Sequence, residues 1–427
     1  MKKLMMFAAA FAAIAASAAV TITGVSARQR WPWNNLVDVD FTIGGAAQGE
    51  AYYVDVTATY DNGNRSLVAK TFETEPIAAT GKNRIVWNLG ADYPEFKADD
   101  LRVTVTVTPF SDSTPLYCVI DISGGPTATK YPVRYTTAAP VFTVGNPDPC
   151  KTTELWLKRV KAGRVRMGTG SSYGQYSSTY PSHYCTLTND YYLGVFPVTQ
   201  SQFANIQTTG DESQFTNALY SATRPVDATT FGTVRSTANW NTYLTSDAVV
   251  DDCVIGRLRN RTGLALIDLP TEWQWEYACR AGSADASRYK GFTLSDLRYK
   301  GNSNPPADYE FNDDKGQWSE DYGTSYVDRY APNPWGFYGM LGNVKEYCAN
   351  YIDSSFTENQ EVTEPRGGNP GSSDGAKWKR AHGGHWNQAS TGIFCYTGSR
   401  INTWGTFSEK AENNGFRLCI TLRAPMQ

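Results

Sequence analysis

The strongest structural constraint in this chain is the segment 269–282, LPTEWQWEYACRAG, because both ends of a short helix are specified there. Thr271 and Gln274 form a Thr-x-x-Gln capping box, in which each side chain bonds the backbone N–H of the other residue. Gly282 supplies a C-terminal stop. We therefore predict a short aromatic helix buried on one side. The residues predicted on the buried face are Trp275, Ala278 and Cys279.

The same capping pattern recurs at Thr199 and Gln202 and predicts a second helix. Little other regular structure is expected downstream, since residues 283–335 are rich in Gly, Asn, Asp, Pro and Tyr. A loop of that length inside a compact domain needs disulfides, a metal or aromatic anchors to hold it.

The N-terminal part of the chain has the alternation of half-buried strands. Residues 51–60 and 101–108 alternate apolar and polar side chains, and residues 61–64 form a turn signal between strands. We predict that residues 19–110 form a β-sandwich of immunoglobulin or fibronectin type, serving as a structural or adhesion module. A Gly- and Pro-punctuated connector is predicted over residues 111–153, with residues 116–122 as a candidate strand.

The first 18 residues have the pattern of a secretory signal peptide. Two lysines precede an apolar run, and Ala16-Ser17-Ala18 fits a small-residue cleavage site. The run is too short for a stable membrane span. We expect an exported protein, in the periplasm, secreted or on the cell surface, that does not span a membrane. The net charge of −3 gives no reason to expect nucleic acid as a partner.

Eight cysteines follow the predicted cleavage site, and an even number in an oxidising compartment permits disulfides. No two of them are spaced as Cys-x-x-Cys, so the motif of a zinc ribbon or a thioredoxin-like site is absent from the sequence. The pairing stays open. Cys279, on the aromatic helix, is alternatively a small buried hydrophobe.

The helix segment resembles the LPTE-x-x-WEYA-x-R signature of the formylglycine-generating enzyme (sulfatase-modifying factor) family, and the resemblance covers residues 154–422. It implies an α+β fold of C-type-lectin-like type with little regular secondary structure. The residues themselves predict that this region begins with strands at 155–160 and 164–167, joined by a turn at Ala162-Gly163. The other motifs that carry the resemblance, in order, are Met167-Gly168, Pro181-Ser182-His183, residues 192–199, Arg224-Pro225-Val226, residues 336–346, residues 383–386 and Asn414-Gly415-Phe416-Arg417.

The family's oxidase chemistry implies a copper ion held by two cysteine thiolates after the Gly-Gly motif, and soft thiolates suit Cu(I). Counting from Gly383, the two positions fall on Gln388 and Ile393, so copper is not expected. Cys395 lies two residues beyond the second position. A rearranged pair of Cys395 with Cys348 or Cys419 is one alternative, and a disulfide or buried thiol is the other.

The resemblance also implies calcium as a candidate cofactor. One family site corresponds to Asn302, Ser303 and Asp321, in a loop whose amide, carbonyl and carboxylate oxygens suit a hard cation. The other interpretation of this loop is a solvated acidic segment.

A second calcium site of the family corresponds to Gly342 and Val344, through their carbonyls, and Glu346. Gly339 stands where the family has Asp or Asn, which removes one side-chain ligand. Lys345 stands where the family has Trp, which places a cation beside the site.

The residues 382–386, His-Gly-Gly-His-Trp, invite two interpretations. His382 and His385 with Cys395 form a candidate set for a soft or borderline metal. Alternatively, they belong to a surface loop that makes polar contacts to a ligand. The region that follows mixes aromatic rings with hydrogen-bonding groups, as recognition surfaces for peptides or sugars do. The candidate ligand-binding residues are His382, His385, Trp386, Asn387, Gln388, Tyr396, Arg400 and Trp404.

These residues lead to a non-oxidative hypothesis: an exported protein that binds a peptide, protein or glycan ligand through residues 382–407. The alternative implied by the resemblance is an oxidase that converts a sulfatase cysteine to formylglycine. A structural component of the cell envelope is a third class. Arg417 is expected to be structural, on a closing strand.

Overall fold

The chain forms two compact units, one made mainly of the residues up to Leu116 and the other made mainly of the residues from Tyr117 onward. The computed structural model describes residues 20–30, 35–45, 51–69, 72, 76–94, 96–109, 115–168, 181–209, 213, 216, 220–235, 249–283, 311–312, 317–318, 323–351, 356–363, 379–386, 401–402 and 413–422. The predicted signal peptide lies outside these residues.

The N-terminal unit consists of two antiparallel sheets, as the alternating patterns predict for a β-rich region. One has the strand order β1-β2-β6, and in the other β3 pairs with β4, β5 and β7. The predicted strand 51–60 is β3, and the predicted strand 101–108 is β7, shifted by one residue. The elements are β1 (Thr21–Gln29), β2 (Leu36–Gly44), β3 (Ala51–Tyr60), β4 (Arg65–Val68), β5 (Ile77–Ala79), β6 (Gly81–Asn88), α1 (Leu89–Asp92) and β7 (Arg102–Pro109).

One apolar cluster takes side chains from both sheets of this unit, because every second residue of β2 and β3 points to the same side. Trp87 is a fully buried member of this cluster, and its indole N–H donates to Asp92 at 2.8 Å. The turn after β3 is made by Asp61, Asn62 and Gly63, all with positive φ, as its Asp-Asn-Gly-Asn sequence indicates.

Short strands from distant parts of the chain build the C-terminal unit. A six-stranded sheet has the order β14-β22-β13-β10-β8-β9, and smaller sheets have the orders β11-β12-β18, β20-β19-β17-β21 and β15-β16. The strands are β8 (Tyr117–Asp121), β9 (Val133–Thr136), β10 (Glu154–Val160), β11 (Gly163–Met167), β12 (His183–Leu187), β13 (Tyr191–Gly194), β14 (Ile267–Asp268), β15 (Phe311–Asn312), β16 (Gln317–Trp318), β17 (Lys345–Tyr351), β18 (Glu361–Thr363), β19 (Lys379–His382), β20 (Ile401–Asn402), β21 (Asn414–Gly415) and β22 (Cys419–Thr421).

The first strands of the family resemblance, 155–160 and 164–167, are β10 and β11, and they belong to different sheets. Asp190 stabilises the turn between these two strands. Its carboxylate accepts from the Ala162 N–H at 2.8 Å and from the Arg159 side chain at 2.7 Å. Within the range predicted as a connector, β8 and β9 pair in the same sheet as β10. Those residues therefore contribute to the sheet of the C-terminal unit.

Both predicted helices are present with their capping boxes. The Thr271 N–H donates to the Gln274 side chain at 2.9 Å, and the Gln274 N–H donates to the Thr271 hydroxyl at 3.2 Å. Thr199 and Gln202 make the same reciprocal pair. The described helices of this unit are α2 (Pro149–Thr152), α3 (Gln200–Ile206), α4 (Phe231–Val234), α5 (Val254–Thr262) and α6 (Glu272–Arg280), with a 3₁₀ turn at Ser221–Thr223.

The prediction that α6 is buried on one side is wrong, because all nine of its residues are buried. Strands β11, β12, β17 and β19 pack around it. Two of its charged residues pair with each other: the Glu276 carboxylate accepts from Arg280 at 2.6 Å, and it also accepts from the Gly168 N–H at 3.0 Å. Ala281 and Gly282 follow with positive φ and end the helix at the predicted stop.

Helix α5 was not predicted. Its N-cap is Cys253, whose sulfur accepts from the Gly256 N–H, and Gly263 closes it with φ 74°. Cysteine is not a usual N-cap, so only Gly263 and the basic residues of the last turn were available as signals. In the described part of the chain, no helix has the length and apolarity needed to cross a bilayer.

Candidate functional site

A buried ion pair between Glu346 and Arg417 lies next to α6. Arg417 donates from Nε to Glu346 Oε2 at 2.6 Å and from Nη2 to Oε1 at 2.7 Å. Its remaining donors reach the carbonyls of Gly194 at 2.8 Å and Tyr338 at 2.9 Å. Both side chains are fully buried. Arg417 lies between β21 and β22 and not on a strand, but its predicted structural role agrees with these contacts.

Trp275 and His382 extend this arrangement into what we call the buried charge cluster (Trp275, Glu346, His382 and Arg417). The indole N–H of Trp275 donates to Glu346 Oε2 at 2.6 Å, and its ring stacks on His382 with centroids 4.9 Å apart. His382 is opposite Glu346 in the pairing of β17 with β19. Its Nε2 lies 3.8 Å from the Glu272 carboxylate, and both side chains are fully buried. His382 therefore lies in the interior and not on a ligand-accessible surface, which corrects its assignment as a ligand-contacting residue.

These contacts do not fit a calcium ion on Glu346. Its carboxylate charge is compensated by Arg417, and both oxygens accept hydrogen bonds. Among the residues that the structure describes, no group of three or more His, Cys, Asp or Glu is arranged to hold a metal ion. The other predicted calcium ligands, Asn302, Ser303 and Asp321, lie outside the described residues, and that site stays a prediction.

Backbone hydrogen bonds join the Gly-Gly segment, residues 383–384 and the residues that follow, to residues 342–343 just before β17, which we call the corner. The Gly342 N–H donates to the Gly383 carbonyl at 2.6 Å, and the Trp386 N–H donates to the Asn343 carbonyl at 3.0 Å. Gly383 has φ 95°, and a Cβ there would lie 2.9 Å from the Met340 carbonyl oxygen. Only glycine allows this approach without strain.

Asn343 holds the other side of the corner with φ 65°. Its side-chain oxygen accepts from the Ser325 N–H at 2.8 Å, and its amide donates to the Ser325 carbonyl at 3.0 Å. Gly342 and Val344, predicted as calcium ligands through their carbonyls, flank this residue. The corner is therefore a rigid support for the loop that carries Trp386.

Three half-buried residues lie on the segments that form this corner, and we call them the ligand face: Lys345, His385 and Trp386. Burial, and secondly the charge of Lys345, lowers the pKa of His385 to about 4. Burial alone lowers the pKa of Lys345. His385 is therefore neutral at pH 7, where it offers one donor and one acceptor.

The structure tests only part of the predicted ligand-binding set. His385 and Trp386 lie together at the corner, and His382 lies beneath it. Lys345 was noted in the sequence as a cation but not as a site residue. It lies on β17, where it pairs with Asn414 of β21. The remaining predicted residues, Asn387, Gln388, Cys395, Tyr396, Arg400 and Trp404, lie outside the described residues.

Seven cysteines are described, and none forms a disulfide with another. All are buried, so the small-hydrophobe alternative for Cys279 agrees with its position. Burial raises the pKa of Cys118 and of Cys150 to about 12, and it raises the pKa of Cys279 well above its ordinary value. Thiols of this kind are poor thiolate ligands and nucleophiles. The proposed partners of Cys395 are buried too, while Cys395 itself is outside the described part.

Comparison with known proteins gives a family match and several more distant similarities. The model of the sulfatase-modifying factor enzyme 1-like domain matches residues 146–422. Serine/threonine-protein kinase pkn1 of Chlamydia pneumoniae is 30% identical over 136 residues, which are 31% of this chain and 18% of the kinase. The chain thus spans less than a fifth of that relative.

Two solved structures are similar at low sequence identity. Treponema denticola variable protein 1 is 22% identical with a TM-score of 0.42, over 66% of this chain and 99% of that one. CarF is 17% identical with a TM-score of 0.37, over 62% of this chain and 97% of that one.

Proposed function

Because the chain belongs to the family of sulfatase-modifying factor enzyme 1-like domains, we propose that it is a non-oxidative member that binds a peptide or glycan ligand. One observation carries this proposal: the positions for the family's copper-binding cysteines hold Gln388 and Ile393, while the surrounding family motifs are retained. An amide and an aliphatic side chain supply no thiolate for Cu(I). The residues at these two positions do not fit a copper ion.

The ligand face supports binding as the remaining activity. Trp386 and His385 are half-buried at a corner fixed by backbone bonds, as residues of a preorganised binding site are. An indole ring supplies contact area at low entropic cost, and a neutral imidazole supplies directional hydrogen bonds. This combination suits recognition of a sugar or peptide.

The N-terminal region and the export signal complete the proposal. We take residues 19–110 as an immunoglobulin- or fibronectin-like β-sandwich that serves as a structural or adhesion module. The pattern of residues 1–18 supports export to the periplasm, the medium or the cell surface.

Glycan and peptide arrays probed with the full chain test the proposal. We expect specific signals that Trp386→Ala abolishes and that Trp156→Ala, at another half-buried tryptophan of the same unit, leaves intact. Loss of binding in both variants, or in neither, contradicts the role of the ligand face. A chain that binds no glycan or peptide favours a structural envelope component.

A second assay addresses the oxidase alternative. Copper-loaded protein is incubated under oxygen with a Cys-x-Pro-x-Arg peptide, and the peptide is analysed for an aldehyde by mass spectrometry. We expect no aldehyde. An aldehyde that disappears in Cys395→Ser would establish formylglycine formation and overturn the non-oxidative proposal.

A further inference from the structure

Lys151, in α2, has a fully buried side chain, and its ammonium group lies against the equally buried carboxylate of Asp328. The distance from Lys151 Nζ to Asp328 Oδ2 is 2.7 Å. The two residues are 177 positions apart, so this contact ties α2 to the segment that precedes β17. A primary amine and a carboxylate are thus held in direct contact inside the C-terminal unit.

Aromatic rings replace water around this pair. Lys151 Nζ lies 4.9 Å from the centroid of the Phe142 ring. The rings of Phe196 and Tyr338 pack against Phe142, with centroids 5.4 and 5.7 Å away. Burying two full charges costs desolvation free energy that a neutral amide made from the same two groups does not cost. Joining the amine to the carboxylate therefore removes an expense of the folded state.

The two carboxylate oxygens of Asp328 have different surroundings. Oδ2 accepts from the Lys151 ammonium and from the Gly145 N–H, the latter at 3.2 Å. Oδ1 is buried and has no hydrogen-bond partner among the residues that the structure describes. A backbone donor on Oδ2 stabilises the negative charge that develops there when a nucleophile adds to the carboxyl carbon. Oδ1 is the oxygen that can leave without giving up a hydrogen bond to any described residue.

The other groups around Lys151 Nζ suit the formation of an amide. The Thr143 carbonyl accepts from Nζ at 2.9 Å, and it can accept equally from the N–H of an amide. Asp148 Oδ2 lies 3.8 Å from Nζ and is oriented by the Thr143 N–H, which donates to it at 2.7 Å. A shift of less than about 1 Å brings Asp148 within hydrogen-bonding distance of the amine, where a carboxylate acts as a proton relay.

We propose that Lys151 and Asp328 condense to an amide, so that the folded protein carries an intramolecular isopeptide cross-link. Asp148 relays a first proton from Nζ to Oδ1, which leaves a free amine and a carboxylic acid. The Nζ lone pair then adds to Cγ of Asp328, and the negative charge forms on Oδ2 opposite the Gly145 N–H. A second proton relayed from Nζ lets Oδ1 leave as water. One ammonium and one carboxylate become one amide and one water molecule, so atoms and charge balance without a co-reactant.

The test is tryptic peptide mapping of the full chain by mass spectrometry, after the folded protein has been denatured and reduced. The cross-link predicts a branched peptide that joins the segment containing Lys151 to the segment ending at Arg329. This peptide should be lighter than the sum of its two parts by one water molecule, and the intact protein should show the same deficit.

Three variants separate the roles of the residues. Lys151→Arg keeps the cation but lacks the primary amine, so the branched peptide and the mass deficit should both disappear. Asp148→Asn removes the relay and should slow the rise of the linked fraction after cell-free synthesis about a hundredfold. Lys158→Arg is the matched control, because Lys158 is another buried lysine of this unit whose Nζ donates to the Trp335 carbonyl at 2.8 Å. It should leave the linkage unchanged.

The unsubstituted chain by itself decides the proposal, so the result does not depend on whether a variant folds. A full sequence mass together with tryptic cleavage after Lys151 in all of the folded protein would show an ordinary ion pair and overturn the cross-link. A branched peptide that persists in Lys151→Arg assigns the bond to another lysine. An unchanged rate in Asp148→Asn overturns the relay. None of these outcomes bears on the proposed ligand binding, which is tested separately.

Discussion

Replacing Arg417 by Met isolates the buried carboxylate of Glu346. The substitution removes two hydrogen bonds to that carboxylate, at 2.6 and 2.7 Å, and two to main-chain carbonyls, at 2.8 and 2.9 Å. Glu346 then retains only the indole N–H of Trp275 in this cluster. Leaving a fully buried charge unpaired lowers the free energy of unfolding by about 3–5 kcal/mol.

The assay is urea unfolding of the full chain, with hydrogen exchange read peptide by peptide so that the C-terminal unit is followed separately. The matched control is Arg134→Met, which breaks an ion pair to Glu154 of 2.9 Å whose arginine side chain is 48% exposed. An exposed pair is worth less than about 1 kcal/mol, so the control should barely change stability.

A double variant decides whether the uncompensated charge is the cause. In Arg417→Met with Glu346→Met, the buried charge is absent, and replacing a whole ion pair by apolar groups is often close to neutral. The double variant should therefore be more stable than Arg417→Met alone. A single variant no worse than the Arg134 control, or a double variant less stable than the single one, would refute the reasoning.

Three further predictions concern the corner, its titration and α6. Gly383→Ala should destabilise the chain by more than Gly63→Ala, because both positions have φ above 90° but only the first Cβ meets another atom, at 2.9 Å; equal losses of about 1 kcal/mol in urea unfolding would assign the effect to backbone strain alone. The pKa of His385 is lowered from 6.5 to about 4, so the unfolded chain binds more protons between these values; its contribution to stability is complete above pH 6.5 and is lost as the pH falls through 4. His385→Asn should flatten this dependence in unfolding titrations, and an unchanged slope would contradict the lowered pKa. Thr271→Ala removes the hydroxyl that accepts from Gln274 and should cost about 1 kcal/mol, whereas Thr271→Ser should restore most of the stability.

Local chemistry made α6 predictable. Thr271 and Gln274 are three residues apart, and that spacing alone specifies two hydrogen bonds wherever the helix lies in the fold. The same holds for the strands of the N-terminal region, because alternation with period two is a property of each strand by itself. The burial of α6 was mispredicted for the same reason: periodicity shows which face is apolar, but not how many elements surround the helix.

The site was predictable only in part. The motif spacing identified the family, and it directed attention to the Gly-Gly segment, residues 383–384. It could not separate His382 from His385, which are three residues apart and chemically identical. The strand pairing of His382 with Glu346 buries one imidazole against Trp275, while Gly383 and Gly384, both with positive φ, turn the chain so that the other reaches the ligand face.

The sequence by itself determined the family and the two capped helices, since these depend on residue identity and short spacing. The tertiary structure decided that Glu346 pairs with Arg417 and that His382 stacks on Trp275. The first pair is 71 residues apart along the chain. No local pattern encodes such contacts. Strand pairing between distant segments, and not the neighbours along the chain, determines which charged side chains are buried next to each other.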